Sequence, residues 1–333
     1  MRSLNAITDI PGIRVGHASD LKALTGCTVI LCEDGATGAI DIRGTASGTR
    51  QTDALSPLHL VDKIHAILLS GGSAFGLDAA GGVMSYLEER GKGFEVIKTK
   101  VPIVPAAVIF DLGIGDFRVR PDRQMGYQAC LKASRKVEEG SVGAGTGATV
   151  GKLFGIDRAM KGGVGTSSIR GPNGVMVGAL TVVNAFGDVL DPGTHQILAG
   201  ARKSQKSFEM ANSSRWIKRG VTRKPFGTFN VTSSNTTLAV VATNAGLSKK
   251  ELYQAAQIAH SGLAKVISPL HTTADGDLVF AISYGRKKAD ANTIGLLGEA
   301  VLMESVKRAV TQADGFGIIP AYKDARVAIP VSK

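Results

Sequence analysis

A run of hydroxyl and carboxamide side chains stands directly before an apolar segment in the last third of the chain. Residues 232–237 are all Ser, Thr or Asn, and the apolar residues 238–242 follow. An internal hydroxyl is a poor nucleophile, but a chain break just before it would supply a base, because a new α-amino group has a pKa of about 8. We take Thr236 as the first candidate, with Thr237 and Ser234 as rivals. The alternative is a polar turn that satisfies its own backbone.

Two other groups of polar side chains stand at the ends of predicted strands. Asn184 ends a β-rich run, where its amide could donate to an oxyanion or serve a turn. Asp275 and Asp277 precede the apolar run 278–283, and residues two apart share one face of a strand. They could hold an ammonium group or a metal ion, and the lack of a third ligand nearby favours the ammonium. The alternative is an ordinary Asp-Gly turn.

Two glycine-rich loops suggest backbone contacts with a ligand. Ser70, Gly71, Gly72 and Ser73 link a predicted strand over residues 64–69 to a helix predicted over 74–90. Free N–H groups at such a helix start would suit a carboxylate or phosphate, so these four residues are candidate substrate-binding residues. The alternative is a turn that only lets strand and helix pack.

The second loop, residues 141–152, ends in Lys152 and is rich in glycine. It lacks the Gly-x-x-x-x-Gly-Lys-Ser/Thr spacing of a phosphate-binding loop, because Leu153 follows the lysine. We therefore exclude a nucleotide cradle at this position.

Composition limits the class of protein. The 333 residues carry a net charge of +11, from 39 Lys and Arg against 28 Asp and Glu, and the excess is concentrated in residues 202–224. Too few aromatic residues accompany that basic segment for a nucleic-acid stacking surface, which favours a solvated, mobile linker. The three cysteines form no C-x-x-C pair, and the first ten residues lack an apolar signal segment, so we expect a cytoplasmic protein without a disulfide framework.

Strands and helices alternate loosely along the chain, with more strands than a doubly wound sheet needs, which predicts sheets inside and helices outside. Ser and Pro at positions 56 and 57 predict a helix start, and residues 124–139 and 292–314 predict longer helices. A capping box at Ser248 predicts another helix, through residue 266. Two prolines in residues 101–110 argue against a central paired strand there.

Six segments, in this order along almost the whole chain, together resemble one family. That family is the autoprocessing N-terminal-nucleophile aminopeptidases typified by L-aminopeptidase/D-esterase, with β-peptidyl aminopeptidases and nylon-oligomer (6-aminohexanoate-oligomer) endo-hydrolases as relatives. The Asn-Thr-Thr sequence at residues 235–237 and the acidic pair at 275 and 277 are more similar to the nylon-oligomer branch. The matching segments are residues 12–17, 70–78, 101–110, 143–152, 235–244 and 275–277.

The resemblance implies a four-layer α-β-β-α sandwich in a single domain, residues 1–333. It also implies a precursor that cuts itself between Asn235 and Thr236 into an α piece, residues 1–235, and a β piece, residues 236–333. Thr236 would be the nucleophile toward peptide or linear amide substrates, and Asn184 the oxyanion donor. The resemblance also places Lys152 near the nucleophile. It implies that Asp275 and Asp277 orient the ammonium group of the new N-terminal Thr236.

The same resemblance implies no metal and no organic cofactor. It also implies a homo-oligomer, commonly a tetramer of αβ units, without a nucleic-acid or membrane partner. Two alternatives stay open on the sequence. One is acyl transfer of the ornithine acetyltransferase type on a similar fold, and the other is a non-enzymatic protein that binds an anionic partner through its positive charge.

Overall fold

The computed structural model describes residues 3–221 and 235–328. The rival nucleophile Ser234 and the end of the basic segment, Arg223 and Lys224, lie outside the described residues. The helices are α1 Ala79–Glu88, α2 Arg123–Leu131, α3 Ser213–Lys218, α4 Lys249–Val266, α5 Ala291–Thr311 and α6 Tyr322–Ala328. The strands are β1 Arg14–Asp20, β2 Thr25–Ile42, β3 Thr49–Arg50, β4 Lys63–Ser70, β5 Phe94–Glu95, β6 Lys100–Val101, β7 Ala106–Val108, β8 Thr149–Val150, β9 Met160–Lys161, β10 Gly163–Arg170, β11 Met176–Asn184, β12 Asp188–Leu190, β13 Ile197–Ala199, β14 Thr236–Ala245, β15 Ile267–Ser268 and β16 Leu278–Lys287.

Nine strands in the described part of the chain form one sheet. Its order is β10-β11-β14-β16-β2-β4-β7-β3, and β1 pairs along β2. Most neighbours are antiparallel, but β14 runs parallel to β16. The 18-residue strand β2 pairs with β16 through its second half and with β1 and β4 through its first half, with a register shift between Leu31 and Ala36. This long strand therefore belongs to two layers of sheet.

Three apolar clusters separate the layers, because alternate residues of a strand face opposite sides of a sheet. One face of β11, β14 and β16 packs against α4 and α5, and the other face packs against β2 and β4. The far face of β2 and β4 packs against α1 and α2. The order helix, sheet, sheet, helix confirms the four-layer α-β-β-α sandwich.

Three strands of the large sheet are buried on both faces. β4, β14 and most of β16 are almost continuously buried, so their sequences are unbroken apolar runs instead of alternating ones. The predicted strands 64–69, 238–242 and 278–283 lie inside them. The capping box is also confirmed, since Ser248 Oγ accepts from the Glu251 N–H while the Glu251 carboxylate accepts from the Ser248 N–H.

The helix predicted from Ser56 is wrong. Residues 56–62 form an irregular loop whose Leu58 and Leu60 side chains are 95% and 85% exposed, so a helix there would bury no apolar face. The loop is instead fixed by the Lys249 ammonium, which donates to the carbonyl oxygens of Ala54, Ser56 and Val61.

Three other predictions need correction. The helix predicted over 74–90 begins as a 3-10 helix, Ser73–Asp78, and the helix predicted over 124–139 ends at Leu131. The sequence predicts no central paired strand over residues 106–108. These residues nevertheless form β7, which pairs with β4 on one side and with β3 on the other. This pairing is possible because the prolines precede the paired residues and Pro105 needs only its carbonyl, which accepts from the Leu68 N–H.

The described part of the basic segment contains one buried cation, Arg202, whereas its other basic residues are exposed as expected. The exposed residues are Lys203, Lys206, Arg215, Lys218 and Arg219. Arg202 is 3% exposed, and its guanidinium donates to the carbonyl oxygens of Asp157 and Gln205. Helix α3 follows, with Asn212 as its N-cap. Backbone carbonyls give the two terminal nitrogens of this guanidinium the acceptors that water would otherwise provide, which makes its burial possible. Each helix within residues 3–221 and 235–328 is too short or too polar to span a lipid bilayer.

The two serines at predicted helix starts give a test of this local structure. We expect Ser248→Ala to lower the free energy of unfolding by about 1 kcal/mol, because it removes the N-cap acceptor of α4. Ser56→Ala should change it by less than about 0.5 kcal/mol, since the Ser56 hydroxyl accepts only from the Leu58 N–H in an exposed turn. Urea unfolding of both variants measures the difference, and equal losses would contradict the assignment.

Candidate active site

Thr236 is the first residue of β14, between β11 and β16. The pairing with the β16 side extends one step further, through an isolated parallel bridge between Asn235 and Asp275. Thr236 is 3% exposed, and its hydroxyl donates to the carbonyl oxygen of Asn235 at 2.5 Å. The hydroxyl therefore lies against the carbonyl group of the peptide bond that precedes it.

The same carbonyl oxygen receives a second hydrogen bond. The Gly276 N–H donates to the Asn235 carbonyl oxygen at 2.8 Å, while the Asn235 N–H donates to the carbonyl oxygen of Ala274 at 3.1 Å. A backbone donor at this oxygen would stabilise the negative charge that develops there if the hydroxyl attacked the carbonyl carbon. Residues 274–276 thus hold the Asn235–Thr236 peptide bond from one side.

Gly276 leaves no room for a side chain. A Cβ at this position would lie 2.8 Å from Thr236 Oγ1 and 2.7 Å from the carbonyl oxygen of Ala46. Gly44 is similarly tight, because its Cβ would lie 2.2 Å from the Asp277 nitrogen. Both glycines let two backbone segments close around the threonine hydroxyl.

The two aspartates flank Gly276 and are both fully buried. Asp277 Oδ1 accepts from the Thr237 N–H at 2.6 Å. The Asp275 carboxylate accepts from the Phe186 N–H and from the hydroxyl and N–H of Thr272. Burial, and then the charge of Asp277, raise the pKa of Asp275 to about 6. Across the described residues, no three His, Cys, Asp or Glu side chains come together as a metal site.

Asn184 and Lys152 lie on the other side of the nucleophile. Asn184 is the direct partner of Thr236 in the β11–β14 ladder. The Lys152 ammonium donates to the carbonyl oxygen and to Oδ1 of Asn184 at 2.9 and 2.8 Å. The Asn184 amide N–H donates to the carbonyl oxygen of Phe110 at 3.1 Å. The structure therefore brings Lys152 and Asn184 beside Thr236, with the amide directed to Phe110.

The Ser-Gly-Gly-Ser loop contributes less to the site than its sequence suggests. The Gly71 N–H donates to the carbonyl oxygen of Gly26, the Gly72 N–H to the Asp111 carboxylate, and the Ser73 N–H to the carbonyl oxygen of Ile109. The carboxylate that the loop binds is therefore the protein's own. Ser70 is fully buried, and of these four residues only Ser73 lines the cleft described next.

A cleft of about 340 Å³ opens onto Thr236. Residues 46–48, 73–74, 108–110 and 273–274 line it, and none of these described lining residues carries a charge. The sequence prediction missed residues 46–48 and 273–274. Gly44 and Gly48 enclosing three small residues were the one available signal, since closely spaced glycines indicate close backbone approach.

Known proteins resemble the chain over nearly its whole length. The model for "Peptidase family S58" matches residues 5–321. An uncharacterized aminopeptidase of Mycobacterium tuberculosis (strain ATCC 25618 / H37Rv) is 40% identical over 344 residues, covering 96% of this chain and 98% of the relative. A 6-aminohexanoate-oligomer endohydrolase of Kocuria sp. (strain KY2) is 31% identical over 321 residues, covering 90% of this chain and 84% of the relative.

Solved structures resemble the chain in fold. The L-aminopeptidase D-Ala-esterase/amidase of Ochrobactrum anthropi, described as a variant of the Ntn hydrolase fold, superposes with a TM-score of 0.69 at 17% identity, covering 93% of this chain and 86% of that chain. A Burkholderia sp. beta-aminopeptidase gives a TM-score of 0.66 at 19% identity, covering 99% and 96%.

The contact between Gly276 and the threonine hydroxyl can be tested directly. We expect Gly276→Ala to displace the hydroxyl and to slow the chain cleavage after Asn235 that the sequence resemblance implies. The rate should fall about a hundredfold, because small misplacements of reacting groups cost rates of that order. A denaturing gel sampled over time after synthesis measures the rate. Gly193→Ala is the control, since its Cβ would meet only Asp191 Oδ1, at 3.4 Å. Cleavage of the Gly276 variant at the wild-type rate would refute the contact's importance.

Proposed function

The chain belongs to peptidase family S58 and is a hydrolase of peptide or amide bonds; on that premise we propose that Thr236 is its nucleophile, released by cleavage after Asn235. The observation that carries the proposal is the hydrogen bond from Thr236 Oγ1 to the Asn235 carbonyl oxygen. The hydroxyl thus contacts the carbonyl group whose carbon it would attack, and the Gly276 N–H donates to the same carbonyl oxygen.

Self-cleavage would proceed as an acyl shift from nitrogen to oxygen. Thr236 Oγ1 bonds to the Asn235 carbonyl carbon, the C–N bond breaks, and the hydroxyl proton ends on the released amine. Water then hydrolyses the ester, giving the Asn235 carboxylate and a free Thr236 hydroxyl. The products are residues 1–235 and 236–333, and Thr236 now has an α-amine that can accept its hydroxyl proton.

Substrate hydrolysis would repeat this chemistry on another carbonyl. Thr236 Oγ1 attacks the substrate amide while the α-amine takes the proton and returns it to the leaving amine. Water then releases the acyl group from Oγ1. We assign Asn184 as an oxyanion donor, which requires its amide to turn from Phe110 toward the substrate. Lys152, Asp275 and Asp277 would provide the buried charges that orient the reacting amine.

The cleft suggests the class of substrate. A volume of about 340 Å³ is at the lower end for small-molecule sites, and its lining is uncharged. We therefore propose short peptides or linear amides whose acyl segment is small and carries no charged side chain. Relatives named as an aminopeptidase and as a 6-aminohexanoate-oligomer endohydrolase support both kinds of amide as test substrates.

A set of variants around Thr236 tests the nucleophile. We expect Thr236→Ala to remain one chain and to be inactive, whereas Thr236→Ser, which keeps a hydroxyl, should still give two pieces. Thr237→Val and Ser234→Ala remove the rival hydroxyls and should be cut like the wild type. Denaturing gels report cleavage, and hydrolysis of amino-acid p-nitroanilides and of a 6-aminohexanoate oligomer reports activity. An active, uncut Thr236→Ala variant would refute the proposal.

A further inference from the structure

Asp277 accepts three hydrogen bonds, one from Thr237 of β14 and two from His271. Its Oδ1 accepts from the Thr237 N–H at 2.6 Å. Its Oδ2 accepts from both the N–H and the ring Nδ1 of His271, at 3.1 and 3.0 Å. The ring nitrogen donates here because an ionised carboxylate only accepts. The Asp277 carboxylate thus bridges Thr237 and His271.

His271 adopts a backbone conformation that makes this double contact possible. Its φ is +55°, in the left-handed region that residues other than glycine rarely occupy, although His, Asn and Asp do so more than most. In this turn the residue's own N–H and its ring meet the same carboxylate oxygen. The strained backbone is held by the fit to Asp277, which points to a role for this residue beyond a loop connection.

A second histidine packs against the His271 ring. His260 of α4 contacts the His271 ring edge to face, with centroids 4.8 Å apart. His260 is fully buried and its Nδ1 lies 2.8 Å from Asp41 Oδ2, which also accepts from Arg43 Nε at 2.8 Å. The His271 ring is therefore confined between Asp277 and a packed helix, so it has little freedom to rotate away.

Cleavage would change what holds Thr236 in place. In the uncut chain, hydrogen bonds of Asn235 to Ala274 and Gly276 anchor the residue just before the nucleophile. Once the bond breaks, Asn235 no longer restrains Thr236. Thr236 keeps its place opposite Asn184 in the β11–β14 ladder but becomes a chain end, and chain ends tend to fray unless they are tied down. The Thr237 N–H is the next backbone donor, and it binds Asp277.

We propose that His271 is a positioning residue, which orients Asp277 so that it tethers Thr237 and keeps the new N-terminal Thr236 aligned with its substrate. This inference rests on the proposed function. It assigns His271 an effect on turnover by the cut enzyme, and a smaller effect on the cut itself, where the Asn235 anchors still act.

Substitutions at His271 separate the side-chain donor from the backbone turn. His271→Gly keeps the left-handed backbone and removes Nδ1, whereas His271→Asn tolerates the same backbone and places an amide N–H where Nδ1 stands. His271→Gln carries its amide N–H one bond further, near the Nε2 position. His195 also has a positive φ, +57°, and is exposed, so His195→Gly is the matched control.

We expect kcat of cut His271→Gly to fall about tenfold or more with little change in KM, because it loses a hydrogen bond to a buried charge. His271→Asn should recover most of that loss, His271→Gln should not, and His195→Gly should match the wild type. Should the glycine variant not fold, the asparagine and glutamine pair decides. Equal kcat in those two, or wild-type kcat in His271→Gly, overturns the proposal.

The wild type in the same experiment tests the proposed function separately. A wild type that stays whole and is active refutes cleavage after Asn235. A wild type that is cut, together with a cut His271→Gly enzyme of undiminished kcat, refutes only the role of His271. The two failures therefore give different results on the gel and in the rate measurement.

Discussion

The site depends on one short hydrogen bond, from the Thr236 hydroxyl to the carbonyl oxygen of the residue before it. This contact is set by the torsion angles of Thr236, and restraint of the chain on both sides of the peptide bond keeps those angles in place. The parallel pairing of β14 with β16, extended by the Asn235–Asp275 bridge, supplies that restraint. The long strand β2 in turn supports β16 from its other edge. The pairings within the four-layer fold therefore hold this one peptide bond in place.

Buried charge is the second constraint on the site. Asp275, Asp277 and Lys152 are each at most 1% exposed, and removing such groups from water is costly unless other donors and acceptors replace it. Backbone N–H groups, Thr272 and His271 satisfy the carboxylates, and the oxygens of Asn184 accept from Lys152. Burial, and after it the charge of Asp277, raises the pKa of Asp275, so this environment disfavours two ionised carboxylates side by side. The hydrolase keeps this cluster next to an uncharged cleft.

The sequence contained the local parts of this arrangement. The polar run before an apolar strand and the Asp-Gly-Asp spacing led to Thr236, Asp275 and Asp277, because strand ends and two-residue periodicity are local properties. Segments that meet Thr236 only through the tertiary fold, such as residues 46–48 and 273–274, gave almost no signal. That Asp111 accepts from the Ser70–Ser73 loop was hidden for the same reason, since Asp111 lies on a different segment. His271 was missed because one histidine in a loop has no periodicity, and its role appears only beside Asp277.

Intact-mass measurement of the purified wild-type protein, with N-terminal sequencing of the smaller piece, tests the central claim most directly. The account predicts two masses that sum to the 34.5 kDa chain plus one water, with the smaller piece beginning at Thr236. A single mass of 34.5 kDa in an active preparation would contradict it, as would a smaller piece that begins at Thr237 or Ser234.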